Sequence, residues 1–98
     1  MSTKVLCDAI AERSTVSFNH EGGRYTVEPY SVGYEQRDQH GHSPLLLRAW
    51  HDNGWRDFQV KYMSSVAISG SPFSADRAGH QRMLIVLCDV SGKTWSGN

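Results

Sequence analysis

One stretch, PLLLRAWHDNGWRDFQVKYM at residues 44–63, constrains the fold more than any other part of this chain. Apolar and polar residues alternate on both sides of Asn53-Gly54, the preferred dipeptide of a two-residue type I′ hairpin turn. Such a turn fixes the register of the two strands that it joins. Counting outward from it predicts the facing pairs Asp52–Trp55, His51–Arg56, Trp50–Asp57, Ala49–Phe58, Leu47–Val60 and Leu45–Tyr62.

That register gives the hairpin two faces of different character, because side chains alternate across a strand with a period of two. The apolar face belongs to a core and carries Leu45, Leu47, Ala49, Phe58, Val60 and Tyr62. The opposite face mixes aromatic, charged and polar residues and carries Leu46, Arg48, Trp50, Trp55, Asp57, Gln59 and Lys61.

The rest of the chain predicts a single small β domain over residues 1–98. A length of 98 residues with 39% hydrophobic residues supports one core. Helical spacing predicts a helix over about 3–12, and period-two alternation predicts strands over about 15–20, 24–35, 44–52, 55–68 and 83–90. Pro29 cannot donate to a ladder and predicts a bulge or an edge position. One helix followed by about five strongly bent antiparallel strands describes a curved sheet or barrel.

With the strands placed, the chain resembles the WYL domain family of bacterial proteins from about residue 6 to about residue 73. The similarity rests on AIAERSTVSFNH, GGRYTVEP and LLLRAWHDNGWRDFQVKYMSSV, which follow the family's order and spacing. The resemblance implies a small SH3-like or Sm-like barrel with an N-terminal helix. It also implies a sensor or regulatory module, often joined to a DNA-binding helix-turn-helix in transcription regulation, that binds nucleic acid or nucleotide-like ligands.

The chain departs from the family pattern at two places. The Trp-Tyr-Leu triplet that names the family falls on residues 45–47, where only Leu47 is kept. The arginine that the family places near its ligand pocket is replaced by Tyr62, whereas Arg24 and Glu28-Pro29 are retained.

Six residues are candidate ligand contacts. Aromatic rings beside cations can stack on bases and contact phosphates. Arg24 is carried over from the resemblance, and its guanidinium, directly after Gly22-Gly23, can fork onto a carboxylate or phosphate, with a pair to Glu28 as the alternative. The candidates are Arg24, Arg48, Trp50, Trp55, Lys61 and Tyr62.

The predicted function is a non-enzymatic module that binds a nucleotide-like ligand or single-stranded nucleic acid. In the alternative interpretation Trp50 and Trp55 form a cross-strand contact near the turn. They could instead pack against a second subunit, which would make the chain a homodimer or an interaction protein.

Catalytic and metal chemistry find little support. The sequence contains no P-loop, no G-x-S-x-G elbow and no H-E-x-x-H motif. We therefore predict no catalytic residue and no cofactor, with a small phosphodiesterase-like enzyme using His20, His51 and Lys61 as the least favoured alternative. His40 and His42 have chelating spacing, but without further ligands they predict a solvated loop and no metal site.

Charge and cysteine usage predict a cytoplasmic protein without a membrane partner. Ten Lys and Arg balance ten Asp and Glu, so no global basic field indicates a nucleic-acid partner. Cys7 and Cys88 lie in apolar stretches and predict two buried thiols in a reducing compartment, with a disulfide as the less favoured alternative. No apolar run approaches the ~18 residues that span a bilayer, and no signal-peptide pattern occurs.

Overall fold

The computed structural model describes residues 2–35 and 44–92. Within these ranges one helix precedes six strands: α1 (Ser2–Glu12), β1 (Ser14–His20), β2 (Gly23–Tyr34), β3 (Leu46–His51), β4 (Gly54–Gln59), β5 (Met63–Pro72) and β6 (Ile85–Asp89). The predicted mainly β architecture with one short helix is confirmed. No helix in the described part of the chain is long and apolar enough to cross a bilayer.

The long strand β2 organises an antiparallel sheet. Its first half pairs with β1, and its second half pairs with β3 on one edge and β6 on the other. The strand order is β4-β3-β2-β1-β5, with β6 beside β2. The register between β2 and β3 shifts between Pro29 and Ser31, which confirms the predicted bulge. A Cβ at Gly33 would overlap the carbonyl oxygen of Ile85, so the pairing of β2 with β6 requires glycine there.

The core forms where α1 packs against β1, β2 and β5. Leu6, Ala9 and Ile10 of α1 are buried. Phe18 of β1 meets Phe58 of β4 edge-on, with ring centroids 5.0 Å apart. Edge-to-face packing of this kind adds about 0.5–1.5 kcal/mol beyond the burial of the rings.

The faces of the β3–β4 hairpin are as predicted, but its facing pairs are wrong by two residues. Asp52 and Asn53 are the turn residues, with φ of 53° and 66°, and Gly54 already belongs to β4. A two-residue shift leaves the side chains of both strands on their predicted faces. The observed pairs are Leu46–Gln59, Leu47–Phe58, Arg48–Asp57, Ala49–Arg56, Trp50–Trp55 and His51–Gly54.

The observed register is preferred because it matches cross-strand partners. It places Arg48 opposite the carboxylate of Asp57 and Trp50 opposite Trp55, whereas the predicted register would place Trp50 opposite Asp57. Asp and Asn both tolerate the left-handed region, so the turn can form one residue earlier than Asn-Gly suggests.

The strand predicted over 55–68 is interrupted. A 3-10 turn at Val60–Tyr62 separates β4 from β5. The turn ends the period-two alternation, so Tyr62, predicted to continue the core face, is 49% exposed. Lys61 likewise leaves the face that carries the tryptophans.

The prediction of free thiols is wrong, because Cys7 of α1 and Cys88 of β6 form a disulfide across 81 residues of sequence. Their Cα atoms lie 5.7 Å apart, within the normal range for a disulfide. The packing of α1 against β6 brings them together, and nothing in their separation along the chain indicates that contact. The predicted cytoplasmic location loses part of its basis, since disulfides persist mainly in oxidising compartments.

Candidate ligand-binding surfaces

The polar face of the hairpin, here called the Trp surface, consists of Arg48, Trp50, Trp55 and Asp57. The two indole rings meet edge-on, with centroids 5.3 Å apart. This confirms the alternative interpretation of a cross-strand aromatic contact, although the residues are direct partners and not diagonal neighbours. Trp55 also meets Tyr30 of β2 edge-on at 4.7 Å.

Residues 73–84, here called the covering segment, lie over this surface. Trp55 Nε1 donates to the carbonyl of Ala78 at 2.9 Å, and the ring of His80 stacks on Trp55 with centroids 5.3 Å apart. The guanidinium of Arg77 lies 4.9 Å from the centre of the Trp50 ring. Its backbone N–H donates to the hydroxyl of Tyr30 at 3.0 Å. The chain's own segment therefore occupies the rings that the sequence offers to a ligand.

Arg48 has its charge satisfied within the protein. Its Nε and Nη2 donate to the two carboxylate oxygens of Asp57 at 2.8 Å each, a bidentate pair of the strong kind. Glu35 lies 3.1 Å from Nη2, and Nη1 donates to the carbonyl of Gln81 at 2.9 Å. The hydrogen bond to Asp57 is the main reason that the pKa of Arg48 is raised further above its usual value. A ligand phosphate would have to displace these carboxylates.

Arg77 is paired in the same way at the edge of the Trp surface. Its Nε and Nη2 donate to the two carboxylate oxygens of Glu28 at 3.1 Å each. The hydrogen bond to Glu28 is the largest cause of the raised pKa of Arg77. The predicted alternative pair between Arg24 and Glu28 is not formed.

His80, which belongs to the covering segment, lines a cavity of about 240 Å³ together with Arg82, Val86, Asp89 and Ser91. Its Nε2 lies 3.2 Å from Ser31 Oγ and 3.8 Å from Asp89 Oδ2. Burial lowers the pKa of His80, nearby Arg48 lowers it further, and Asp89 opposes the shift.

These three groups do not form a nucleophilic triad. The hydroxyl and the carboxylate lie at the same ring nitrogen, whereas a triad needs them at opposite nitrogens. Ser31 is also fully buried, so its hydroxyl could not reach a substrate.

A second surface surrounds His20 where β1 ends. It consists of His20, Tyr25, Arg56, Lys61 and Tyr62 and is called the His20 surface. The imidazole lies between the two tyrosine rings, 6.4 Å from each centroid. The guanidinium of Arg56 lies 4.9 Å from the centre of the Tyr25 ring, and Lys61 Nζ lies 5.0 Å from that of Tyr62. Each cation therefore lies over the face of an aromatic ring.

The cations of the His20 surface differ from Arg48 and Arg77 in their electrostatic environment. Among residues 2–35 and 44–92, no carboxylate forms an ion pair with Arg56 or Lys61. The acid closest to the imidazole is Glu21, whose Oε1 is 3.6 Å from His20 Nδ1, beyond hydrogen-bond distance.

Arg24 is exposed and lies on the opposite face of the β1–β2 ladder from Tyr25, because side chains alternate along a strand. Its Nη1 donates to Asn19 Oδ1 at 3.2 Å and to the carbonyl of Ser65 at 3.3 Å. Both acceptors are uncharged, so neither of them neutralises the positive charge of the guanidinium.

The six predicted contacts therefore do not form one site. Arg48, Trp50 and Trp55 lie together on the Trp surface. Lys61 and Tyr62 lie on the His20 surface, and Arg24 lies on the opposite face of the β1–β2 ladder. His40 and His42 lie outside the described residues, and the described residues contain no cluster of three or more metal-ligating side chains.

Sequence reasoning did not select Arg56 or Tyr25 as ligand contacts. One signal was available, because Arg56 alternates with Phe58 and so falls on the apolar face of the hairpin. A cation at the tip of an apolar face indicates that the face becomes exposed there.

These elements define a small, mainly antiparallel β protein with one cation–aromatic surface covered by its own chain and another whose cations pair with no carboxylate among the described residues. Comparison with family models, curated proteins and solved structures found no match. The function is therefore argued from this chain's own residues.

Proposed function

We propose that this chain is a non-enzymatic, WYL-like module that binds a nucleotide-like ligand or single-stranded nucleic acid through the His20 surface. The observation that carries the proposal is the pairing of Arg56 with Tyr25 and of Lys61 with Tyr62, cation over ring, without a described carboxylate partner. Aromatic faces for bases beside cations for phosphates are the basis of sequence-tolerant single-strand binding.

The ligand class follows from the shape of this surface. Tyr62 is 49% exposed and presents a ring on which a base can stack, a contact that contributes about 1–3 kcal/mol. Lys61 and Arg56 provide positive charge on either side of the buried His20. A nucleotide and a single strand offer the same chemistry here, a planar base attached to a phosphate.

In this proposal the Trp surface supports the hairpin that carries Arg56. Arg48, Trp50 and Trp55 could meet a ligand or a second subunit only if the covering segment moved away. Their contacts with Asp57, Ala78 and His80 favour a structural role.

Membership of the WYL family, an SH3-like or Sm-like barrel, and a cytoplasmic location belong to the same proposal. The barrel is supported by the bulge in β2 at Pro29 and by its change of partners from β1 to β3 and β6. The location is the least supported part, because the disulfide argues for an oxidising environment.

Fluorescence anisotropy with a labelled single strand of about 12 nucleotides tests the proposal. We expect binding at low salt, with log K falling by about 0.7 per log unit of salt for each phosphate contacted. Lys61→Ala and Arg56→Ala should each weaken binding about tenfold and reduce that slope. Arg77→Ala is the matched control, because Arg77 also lies over an aromatic ring but is paired with Glu28.

Two results would overturn the assignment. Absence of binding by the wild-type protein at low salt would remove the function itself. A stronger loss in Arg77→Ala than in Lys61→Ala would move the site to the Trp surface. Sedimentation of the free protein tests the runner-up, since a homodimer through the Trp surface predicts a dimer that Trp50→Ala converts to monomer.

A further inference from the structure

We propose that the imidazole of His20 is the group that hydrogen-bonds the edge of the bound base, and that it becomes accessible when the ring of Tyr62 moves aside. This inference rests on the proposed function and assigns a selective contact within it. It predicts that the protein distinguishes a strand carrying bases from a bare sugar-phosphate chain.

His20 is a buried polar side chain that makes no hydrogen bond among the described residues. The residue is 7% exposed, and both ring nitrogens are buried without a hydrogen-bond partner among the described residues. Leaving a buried polar group unpaired is costly in free energy, so such groups in folded proteins call for an explanation. A contact completed only by a ligand provides one.

Aromatic side chains surround the imidazole of His20. Phe58 meets the imidazole edge-on with centroids 5.3 Å apart, and Tyr25 and Tyr62 lie edge-on to it on other sides. Aromatic walls favour the insertion of another flat ring. A ring nitrogen of the imidazole can donate to a base carbonyl or accept from a base N–H, so it can pair with the edge of an inserted base.

Tyr62 lies at a position where its side chain can move. It belongs to the 3-10 turn at Val60–Tyr62, at the junction between β4 and β5, and about half of its surface faces solvent. Its ring can change rotamer without disturbing the ladder on either side. The same movement would uncover His20 and present the tyrosine for stacking.

His20→Phe tests the inference, because it keeps a flat ring of similar size and removes both nitrogens. His51→Phe is the matched control, since His51 also meets Tyr25 edge-on, at 5.3 Å, but is only half-buried. Anisotropy compares an oligothymidylate of about 12 nucleotides with an abasic strand of the same length. We expect His20→Phe to weaken the oligothymidylate about five- to tenfold, with no change for the abasic strand or in the control.

The outcomes separate the two claims. If His20→Phe weakens both strands equally or neither of them, the inference fails while the proposed function stands. If the wild-type protein binds neither strand, both fail. A wild-type NMR titration decides the matter if the variant does not fold: the ¹⁵N signals of His20 should shift with oligothymidylate and not with the abasic strand, and unchanged signals with both would overturn the inference.

Discussion

Arg48 and Arg56 lie on the two strands of one hairpin, and they differ in almost every physical respect. Arg48 faces Asp57 and Glu35 beneath the covering segment, whereas Arg56 lies over Tyr25 with no described carboxylate partner. Both surfaces combine aromatic rings with cations, so composition does not separate them. The position of the acids does: Arg48 of the Trp surface pairs with Asp57 and Glu35, whereas no described carboxylate pairs with the cations of the His20 surface.

The largest expected effect on stability concerns the disulfide between Cys7 and Cys88. Cys88 directly precedes Asp89, the carboxylate beside His80, and its bond to Cys7 closes a loop of 81 residues. Reduction should lower the free energy of unfolding by about 4 kcal/mol, because the unfolded chain regains the entropy of that loop.

Urea unfolding with and without reductant measures this loss. The oligonucleotide affinity of the reduced protein, taken well below its melting temperature, should stay unchanged, because β6 pairs with residues 31–34 of β2 and the His20 surface lies near the start of that strand, at Tyr25. Equal stability in both conditions would contradict the expected role of the disulfide.

Truncating one aromatic residue on each surface tests the comparison directly. Trp55→Ala removes contacts to Trp50, Tyr30 and His80 and should cost about 3 kcal/mol. Tyr62→Ala removes a ring that is 49% exposed and should cost less than about 1 kcal/mol, while it weakens oligonucleotide binding by about tenfold. Chemical denaturation and anisotropy on both variants measure the two effects, and similar costs in stability would erase the distinction between the surfaces.

Replacing each arginine by methionine keeps an unbranched apolar stem and removes the charged guanidinium. Arg48→Met leaves the carboxylates of Asp57 and Glu35 without their cation and should cost about 2 kcal/mol. Arg56→Met should change stability by no more than about 0.5 kcal/mol, since no described acid depends on it. Denaturant titrations give both values. If Arg56→Met lost more stability than Arg48→Met, Arg56 would be the structural cation, and the difference drawn between the two surfaces would be wrong.

The part of this fold that the sequence predicts is the part that local periodicity controls. Alternation separated Ala49 and Phe58 from Trp50 and Trp55 correctly, even though the turn was placed one residue too late. Periodicity survives such an error because a shift of two residues restores each face.

The part that the sequence does not predict depends on contacts between distant segments. Residues 73–82 form a polar stretch without periodicity, and nothing local indicates that His80 stacks on Trp55. The bond between Cys7 and Cys88 has the same origin, since it requires α1 and β6 to be adjacent in space. These contacts between distant segments determine which surface the covering segment occupies. Of the six candidate residues, only Lys61 and Tyr62 lie on the His20 surface.

The smallest expected effect is a pH dependence of the contacts between the covering segment and the Trp surface. Burial lowers the pKa of His80 below its ordinary value of 6.5, with a further contribution from Arg48. The unfolded chain therefore takes up a proton before the folded one as the pH falls. The stability associated with a neutral His80 is complete above about pH 6.5 and is lost as the pH falls through the folded pKa.

Thermal unfolding between neutral and mildly acidic pH, for the wild-type protein and His80→Gln, isolates this effect from the other titrating groups. The advantage of the wild type over the variant should shrink on acidification, and its tryptophan emission should shift to the red as the stacking of His80 on Trp55 is lost. His51→Gln is the control, because its ring touches Tyr25 and not the Trp surface. Parallel pH curves for wild type and His80→Gln would show that the covering segment is held without any contribution from a neutral imidazole.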